Sequence, residues 1–134
     1  MDVKVIAIAR ASYERAVRAP SFFEDFYAEF FRRCPEAEPR FAGTDFIRQH
    51  RLIRHAIGLL VNYPGRAGES PNILERIAER HSRSDLDVPG HMYDPFVDAL
   101  IAVAAKHDSD FSDAVETAWR RTLAPGIEYM RSKY

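Results

Sequence analysis

The chain has 134 residues, of which 46% are apolar and 29% charged, with a net charge of −1. These values are typical of one globular domain with room for a core, and they argue against a nucleic-acid-binding surface or a polybasic membrane patch. No apolar run reaches the length of a membrane span, and the N-terminal residues lack the pattern of a secretory signal. The single cysteine, Cys34, excludes an internal disulfide and fits a reducing compartment, so we expect a cytoplasmic protein.

Apolar residues recur at helical rather than strand spacing along the chain, which predicts an all-α protein of about six main helices. The first helix is predicted from about Val3 to Ala19, where Pro20 ends it, and a shorter helix beginning at Ser12 is the alternative. Ser21 then opens the second helix, with Glu24 three residues later as its capping-box partner.

The second helix carries a broad aromatic stripe, made of Phe22, Phe23, Phe26, Tyr27, Phe30 and Phe31. Tyr27 lies in the middle of this stripe, and a tyrosine on an apolar face needs a partner for its hydroxyl. That partner is either a backbone carbonyl or a ligand in a pocket. Cys34–Pro35 ends the helix, and a single short helical turn follows from Pro35 to Phe41, with Phe41 as an isolated apolar anchor.

A third helix is predicted from Asp45 to about Asn62, with Thr44 as its N-terminal cap and Pro64–Gly65 as its end. The side of this helix expected to face inward carries apolar residues at helical spacing: Phe46, Leu52, Ile53, Ala56, Ile57, Leu59 and Leu60.

The fourth helix is predicted from Ser70 to Ser82, with Ser70 as the cap and Pro71 at the first helical position. Its apolar face consists of Leu74, Ile77, Ala78 and His81. A histidine at the end of such a stripe is either a core residue satisfied by one hydrogen bond or a ligand pointing into a pocket.

Two helices complete the chain after a polar loop from Arg83 to Gly90. One is predicted from near His91 to about His107. The other is capped by Ser112 and contains Pro125–Gly126, which we expect to kink or interrupt it.

Several kinds of catalytic site are absent from the sequence, including a glycine-rich phosphate loop, a nucleophile elbow and a zinc-protease histidine pair. His50 and His55 are five residues apart, so on a helix they point about 140° from one another. A single histidine facing an aromatic pocket in an all-α protein suggests a metal that is held mainly by another group. Haem is such a group, because its macrocycle supplies four nitrogens and the protein supplies an axial ligand.

The run FYAEFFRRCPEAEPRF, from Phe26 to Phe41, closely resembles the second and third helices of bacterial globins, in which a distal tyrosine is followed by a phenylalanine at the next corner. Tyr27, Pro35 and Phe41 fall on that pattern. The runs TDFIRQHRLIRHAIGLL and LERIAERHSR resemble the distal and proximal helices. MYDPFVDALI and AWRRTLAPGIEYM resemble the last two helices, with Trp119 in the family's place. The resemblance covers Ser12 to Tyr134. It implies a single globin domain over residues 1–134, a three-over-three helical sandwich around haem b.

The resemblance also implies roles for individual residues. His81 would be the axial iron ligand, Phe41 would pack against the haem face, and Tyr27 would donate its hydroxyl to the bound gas. Arg51 could reach a haem propionate. Tyr93 matches a tyrosine near the axial histidine, whereas the family's proximal glutamate has no clear counterpart, since its position falls near Tyr134.

Two registers of the distal helix remain open. In the first, Gln49 is the distal residue and Ile53 lies over the haem, which places Arg54 at a site that is usually apolar. In the second, Arg48 lies at the mouth of the pocket and Leu52 over the haem. The glutamine favours the first register, which we prefer slightly, and we expect His50 to be exposed rather than a sixth iron ligand.

The relatives that the chain resembles are bacterial single-domain haemoglobins, the globin domains of flavohaemoglobins and the globin domains of gas sensors. The resemblance implies reversible binding of O2, NO or CO at iron. Such binding would serve oxygen transport, or NO detoxification together with a separate reductase, so enzyme activity is expected only with that partner. The alternative is a stand-alone sensor that signals through a partner protein and a homodimer interface. A third hypothesis is a haem-free interaction module, which the presence of His81 disfavours.

Overall fold

The computed structural model describes residues 2–69 and 72–134, and in these ranges the chain is helical with no strand. The helices are α1 (Val3–Ala16), α2 (Phe22–Arg33), α3 (Phe46–Arg66), α4 (Glu75–His81), α5 (Tyr93–His107) and α6 (Asp113–Ser132), with 3-10 helices at Pro35–Phe41 and Gly90–Met92. The predicted all-α class is confirmed. None of the described helices is both long and apolar enough to cross a bilayer.

Side chains at the helix starts explain several of the observed boundaries. The Asp2 carboxylate caps α1, which runs unbroken to Ala16, three residues short of the predicted end. Ser21 precedes α2 but makes no capping bond, because its hydroxyl donates to the Asp25 carboxylate instead, at 3.2 Å. The predicted capping box is therefore wrong, whereas the predicted cap of α6 by Ser112 is confirmed.

Helix α3 differs from its prediction at both ends. Asp45, not Thr44, is its cap, with a carboxylate oxygen that accepts from two backbone N–H groups in the first turn. A carboxylate also interacts favourably with the positive end of the helix dipole. The helix then continues through Pro64 to Arg66, and the buried ring of Tyr63 anchors this last stretch in the core.

Helix α4 is shorter than predicted. It begins at Glu75, and the Asn72 side chain accepts from the backbone N–H of Leu74 at 2.8 Å. Such a local bond competes with helix formation and holds the chain in a turn. Ser70 and Pro71, the predicted cap and first residue, lie outside the described residues. His81 is the last helical residue.

A buried polar network joins α1 to α6 and to the loop between α5 and α6. The Trp119 indole N–H donates to the Ser12 hydroxyl at 2.9 Å, and that hydroxyl donates to the Asp108 carboxylate at 2.6 Å. Arg15 forms two bonds to the same carboxylate, at 2.6 and 2.9 Å. Since Trp119 and Ser12 are fully buried, this network lies inside the core.

Helix α6 is the centre of the fold, because α1, α3, α4 and α5 all pack against it, while α2 packs chiefly on α5. The helix is continuous through Pro125 and Gly126, so the predicted interruption does not occur. A β-carbon at Gly126 would lie 2.8 Å from Leu60 Cδ2 and 3.2 Å from Leu74 Cδ1, so the absence of a side chain permits the approach of α3 and α6.

Candidate functional site

The ring of Tyr27 lies at the meeting point of α2, the 3-10 helix and α3. It is 5% exposed, and its nearest rings belong to all three elements. The ring centroids lie 5.1 to 5.9 Å from that of Tyr27, at Phe26, Phe31, Phe41, Phe46 and His50. We call Tyr27, Phe41, Phe46, Gln49 and His50 the Tyr27 cluster. The spacing of the aromatic stripe on α2 places the ring here, because every third or fourth residue returns to the same face.

The Tyr27 hydroxyl accepts a hydrogen bond from the side-chain amide of Gln49, with 2.9 Å between oxygen and nitrogen. Neither a backbone carbonyl nor any other group in residues 2–69 and 72–134 accepts the hydroxyl proton. Burial raises the pKa of Tyr27 to about 12. At neutral pH the hydroxyl is therefore protonated, with its oxygen engaged and its proton available.

His50 is not exposed, contrary to the prediction. It is half-buried, and its ring stacks on Tyr27 with an interplanar angle of 10° and also contacts Phe23 and Phe46. The helical wheel explains this, because His50 lies about 100° from Gln49 on the side of α3 that faces α2.

Four residues of α3 distinguish the two registers of the distal helix. Gln49 contacts Tyr27, and Ile53 packs half-buried against the core. Arg48 and Leu52 are exposed, and Leu52, predicted on the inner side, has 52% of its surface accessible. Arg54, which the first register assigns to a site that is usually apolar, lies at the surface with its guanidinium 5.3 Å from the Phe23 ring centre. An arginine is favourable in such a cation–π contact.

His81 is the last residue of α4 and is half-buried. Its Nδ1 lies 2.7 Å from the carbonyl oxygen of Ile77. A carbonyl only accepts, so Nδ1 carries the proton and Nε2 of the neutral ring carries a lone pair. Burial lowers the pKa of His81, which favours the neutral ring. Within the described ranges no protein group bonds to Nε2.

The loop after His81 is held by contacts that the sequence analysis missed. The Arg40 guanidinium donates to the carbonyl oxygens of Leu86 and Asp87, at 3.1 and 2.9 Å. The Tyr134 hydroxyl donates to the Asp87 carboxylate, and the Arg83 guanidinium lies 5.0 Å from the Tyr134 ring centre. Because the residues that make these contacts are far apart in the sequence, no local spacing predicts them.

Tyr93 and Arg51 are the remaining residues predicted for the site. Tyr93 begins α5 and is 7% exposed, and burial raises the pKa of its hydroxyl to about 12. Arg51 is exposed on α3. The structure thus brings together Tyr27, Phe41 and Gln49, whereas neither Tyr93 nor His81 makes a described hydrogen bond or ring contact with them.

Helices α3 and α4 both pack on α6 but hardly contact one another over the described residues. The Tyr27 cluster and His81 therefore belong to parts of the fold that are joined through α6. Two surface cavities, of about 540 and 340 Å³, lie elsewhere, the first beside Glu79 and Tyr129 and the second beside Asp98 and Leu123.

Residues 24–127 match the family model described as Globin. The chain is a globin. A crystal structure of protein PA3967 from Pseudomonas aeruginosa PAO1, described as structurally highly homologous to a human hemoglobin, is similar to this globin with a TM-score of 0.90 and 35% sequence identity. The match covers 97% of this chain and 98% of that one. No curated protein matches the chain.

Membership of the family confirms the globin fold and implies that this globin binds haem. The residues present fit that group. His81 offers a neutral imidazole with an unused nitrogen. Two apolar side chains of α3 are exposed and available to a bound group, Phe46 of the Tyr27 cluster at 36% and Leu52, three residues after Gln49, at 52%. In the described part of the chain, no three His, Cys, Asp or Glu side chains lie close enough together to hold a metal ion.

Proposed function

We propose that this globin binds haem b through His81 and binds oxygen reversibly beside Tyr27. The observation that carries the proposal is the hydrogen bond from Gln49 to the Tyr27 oxygen, because it fixes the ring while leaving the hydroxyl proton for a gas molecule. Haem supplies the iron that binds the gas and changes oxidation state. The gases concerned are O2, NO and CO.

On the proximal side of the haem, His81 would hold the iron through Nε2. The bond from Nδ1 to the Ile77 carbonyl orients the imidazole and selects the tautomer in which Nε2 is the donor to metal. This partner is a neutral carbonyl rather than a carboxylate. The proximal imidazole therefore lacks the anionic hydrogen-bond partner that would raise its basicity further.

On the distal side of the haem, where the gas would bind, Tyr27 would act as a hydrogen-bond donor. An O–H group that points at a polarised, partly negative ligand stabilises it by roughly 1 to 3 kcal/mol, depending on the charge that the ligand carries. Carbon monoxide accepts hydrogen bonds poorly by comparison. The main effect expected of Tyr27 is therefore slow release of oxygen.

For the distal helix we propose the register with Gln49 in the pocket and Ile53 over the haem. The contact between Gln49 and Tyr27 supports this choice, as does the surface position of Arg54. Phe41 and Tyr93 remain proposed haem contacts. Leu52 would cover the edge of the macrocycle, and Arg51 would bind a propionate there.

Oxygen that is held by a tyrosine and released slowly suits storage or reaction with nitric oxide rather than rapid delivery. If bound haem supplied dioxygenation of nitric oxide, its iron would have to be reduced again before each further turnover, so this activity would require electrons from a separate reductase. By itself the globin would therefore act as a ligand-binding protein, and it would have enzyme activity only together with the reductase.

The absorption spectrum tests the haem site. Haem-reconstituted protein, reduced and exposed to carbon monoxide, should show a sharp Soret band that is lost or strongly altered in His81→Ala. His91→Ala is the matched control, because His91 is an exposed histidine paired with Glu36, and it should leave the band unchanged. Failure of the wild type to take up haem would refute the proposal.

Oxygen dissociation tests the role of Tyr27. In Tyr27→Phe the ring remains and the hydroxyl is lost, so oxygen should leave about 5- to 150-fold faster, according to the strength of the bond removed. Carbon monoxide release should change much less. Equal release rates for oxygen in the two proteins would show that Tyr27 is not the donor.

A further inference from the structure

The outward face of α3 is basic, and its arginines make no ion pair with the described residues. Arg48, Arg54 and His55 lie within about 120° of one another on the helical wheel, and all are exposed. We call these residues, with Ile47 between Arg54 and His55 on the wheel, the basic face. Among the ion pairs of the described residues none includes an arginine of this face.

The charge of α3 differs from that of the rest of the chain. From Phe46 to Gly68 there is no aspartate or glutamate, and α3 contains four arginines. Since the net charge is −1, the rest of the chain carries a net charge of −5. Elsewhere in the described structure, arginines such as Arg120 and Arg131 each pair with two carboxylates. The basic face is therefore a local concentration of positive charge on an acidic protein.

One large apolar side chain lies among these charges, Ile47, which is 76% exposed. Exposed apolar groups surrounded by polar residues are a feature of surfaces that bind other proteins. A face with both properties can bind an acidic partner through charge and exclude water around Ile47.

The basic face lies directly behind the candidate gas site. Gln49 and Ile53 lie on the inner side of the same helix, about 100° or more from Arg48. An α-helix with its side chains is about 10–12 Å across, so a protein docked on this face would lie about one helix diameter from the Tyr27 cluster.

We propose that the basic face docks an electron-donating protein through an acidic patch on that protein. The inference rests on the proposed function, because ferric iron must be reduced before oxygen can bind again. The step is a one-electron transfer, in which the donor loses one electron and ferric iron becomes ferrous, with no covalent bond made or broken.

The size and charge of the face favour a protein partner. From Ile47 to His55 the helix advances about 12 Å, which suits the small interfaces of transient redox complexes. An extended polyanion such as an anionic membrane or nucleic acid would contact more of the molecule than α3, and the rest of the chain carries a net charge of −5 that would repel it.

The probe is a flavodoxin, a small acidic flavoprotein, used with the ferric haem-loaded globin. The test variant is Arg48→Glu/Arg54→Glu, which reverses two charges of the face and leaves Arg51 intact. The matched control is Lys4→Glu/Arg121→Glu, which reverses two exposed cations on α1 and α6 that make no described ion pair. We expect reduced flavodoxin to reduce the wild type and the control at similar rates, and the test variant at least tenfold more slowly at low salt.

Two further readouts separate electron transfer from other effects. Titration calorimetry with oxidised flavodoxin should show binding to the wild type that weakens with added salt and is lost in the test variant. The Soret band of the reduced, carbon-monoxide-treated protein should be the same in all three proteins. This equality would show that the haem site is intact in every variant. Slower reduction by flavodoxin could then not be caused by a damaged haem site.

Several results would overturn the docking proposal while the proposed function stands. One is reduction by flavodoxin that is insensitive to salt and equal in the test variant and the control. Another is binding to vesicles of phosphatidylglycerol that is lost in the test variant, together with no binding of flavodoxin, which would assign the face to a membrane. If the wild type takes up no haem, the proposed function itself fails.

Discussion

Two buried polar side chains in this globin are used in opposite ways. The Asp108 carboxylate, on a residue only 3% exposed, accepts hydrogen bonds from Ser12, from Arg15 and from a backbone N–H in its own loop. The Tyr27 hydroxyl, on a residue 5% exposed, accepts one bond from Gln49 and gives its proton to no described group. Both are enclosed by aromatic rings or helices, so burial alone does not separate them.

The difference concerns how fully each group is satisfied. A buried carboxylate with every oxygen bonded stabilises the fold, because removal of one partner leaves the others without compensation. A buried hydroxyl with an unused proton contributes little to stability but is available to a ligand. For these two residues, the donors and acceptors left over separate a structural polar group from a candidate ligand-binding one.

The largest effect on stability is expected from Asp108→Ala. It removes the acceptor for Ser12 and Arg15 inside the core, and the free energy of unfolding, measured by urea titration, should fall by about 3 kcal/mol. Asp110→Ala is the control, since Asp110 is largely exposed and lies 3.8 Å from Arg15, and its loss should stay below about 0.5 kcal/mol. Similar losses in both variants would contradict a structural role for the network.

A smaller loss in the free energy of unfolding is expected when the pH is lowered and the Asp108 carboxylate is protonated. Burial alone would raise the pKa of Asp108, but the hydrogen bonds from Arg15 and Ser12 outweigh it and hold the pKa at about 2. Because the folded pKa lies below the unfolded value near 3.9, the stabilisation is complete above about pH 4 and is lost as pH falls toward 2. The wild type should lose about 2 kcal/mol more than Asp108→Asn over this interval. Parallel pH profiles would refute the assignment.

The smallest effect on stability is expected from a substitution of Tyr27. Tyr27→Phe keeps the ring packing and removes only the oxygen that accepts from half-buried Gln49, so the free energy of unfolding should change by less than about 1 kcal/mol. The same variant is the one expected to release oxygen faster. A loss of stability as large as that of Asp108→Ala would show that Tyr27 is mainly structural.

Features that depend on local spacing could be predicted from the sequence. The aromatic stripe placed Tyr27 on the buried face of α2, and Ser112 was identified as the cap of α6, because both follow from residues within one or two turns. The choice of cap for α3 was wrong, since Thr44 and Asp45 are both good capping residues and only backbone geometry separates them.

Features that depend on contacts between distant segments could not be predicted. Arg40 binds carbonyls of Leu86 and Asp87, and backbone carbonyls carry no signal in the amino-acid sequence. His50 is a polar residue whose burial depends on the rings of Tyr27 and Phe46 around it. The residues of the site itself came from the family resemblance, and their roles toward haem stay predictions.

The pair Pro125–Gly126 has a consequence for the order of folding. Within a helix, proline and glycine are less favourable than alanine by about 3 and 1 kcal/mol. Helix α6 is nevertheless continuous, and Gly126 lies against Leu60 and Leu74, side chains more than 50 positions earlier in the chain. The second half of α6 therefore depends on distant partners for its helical state. In pulsed hydrogen exchange during refolding, its amides should gain protection after those of α2, and simultaneous protection would show that α6 nucleates by itself.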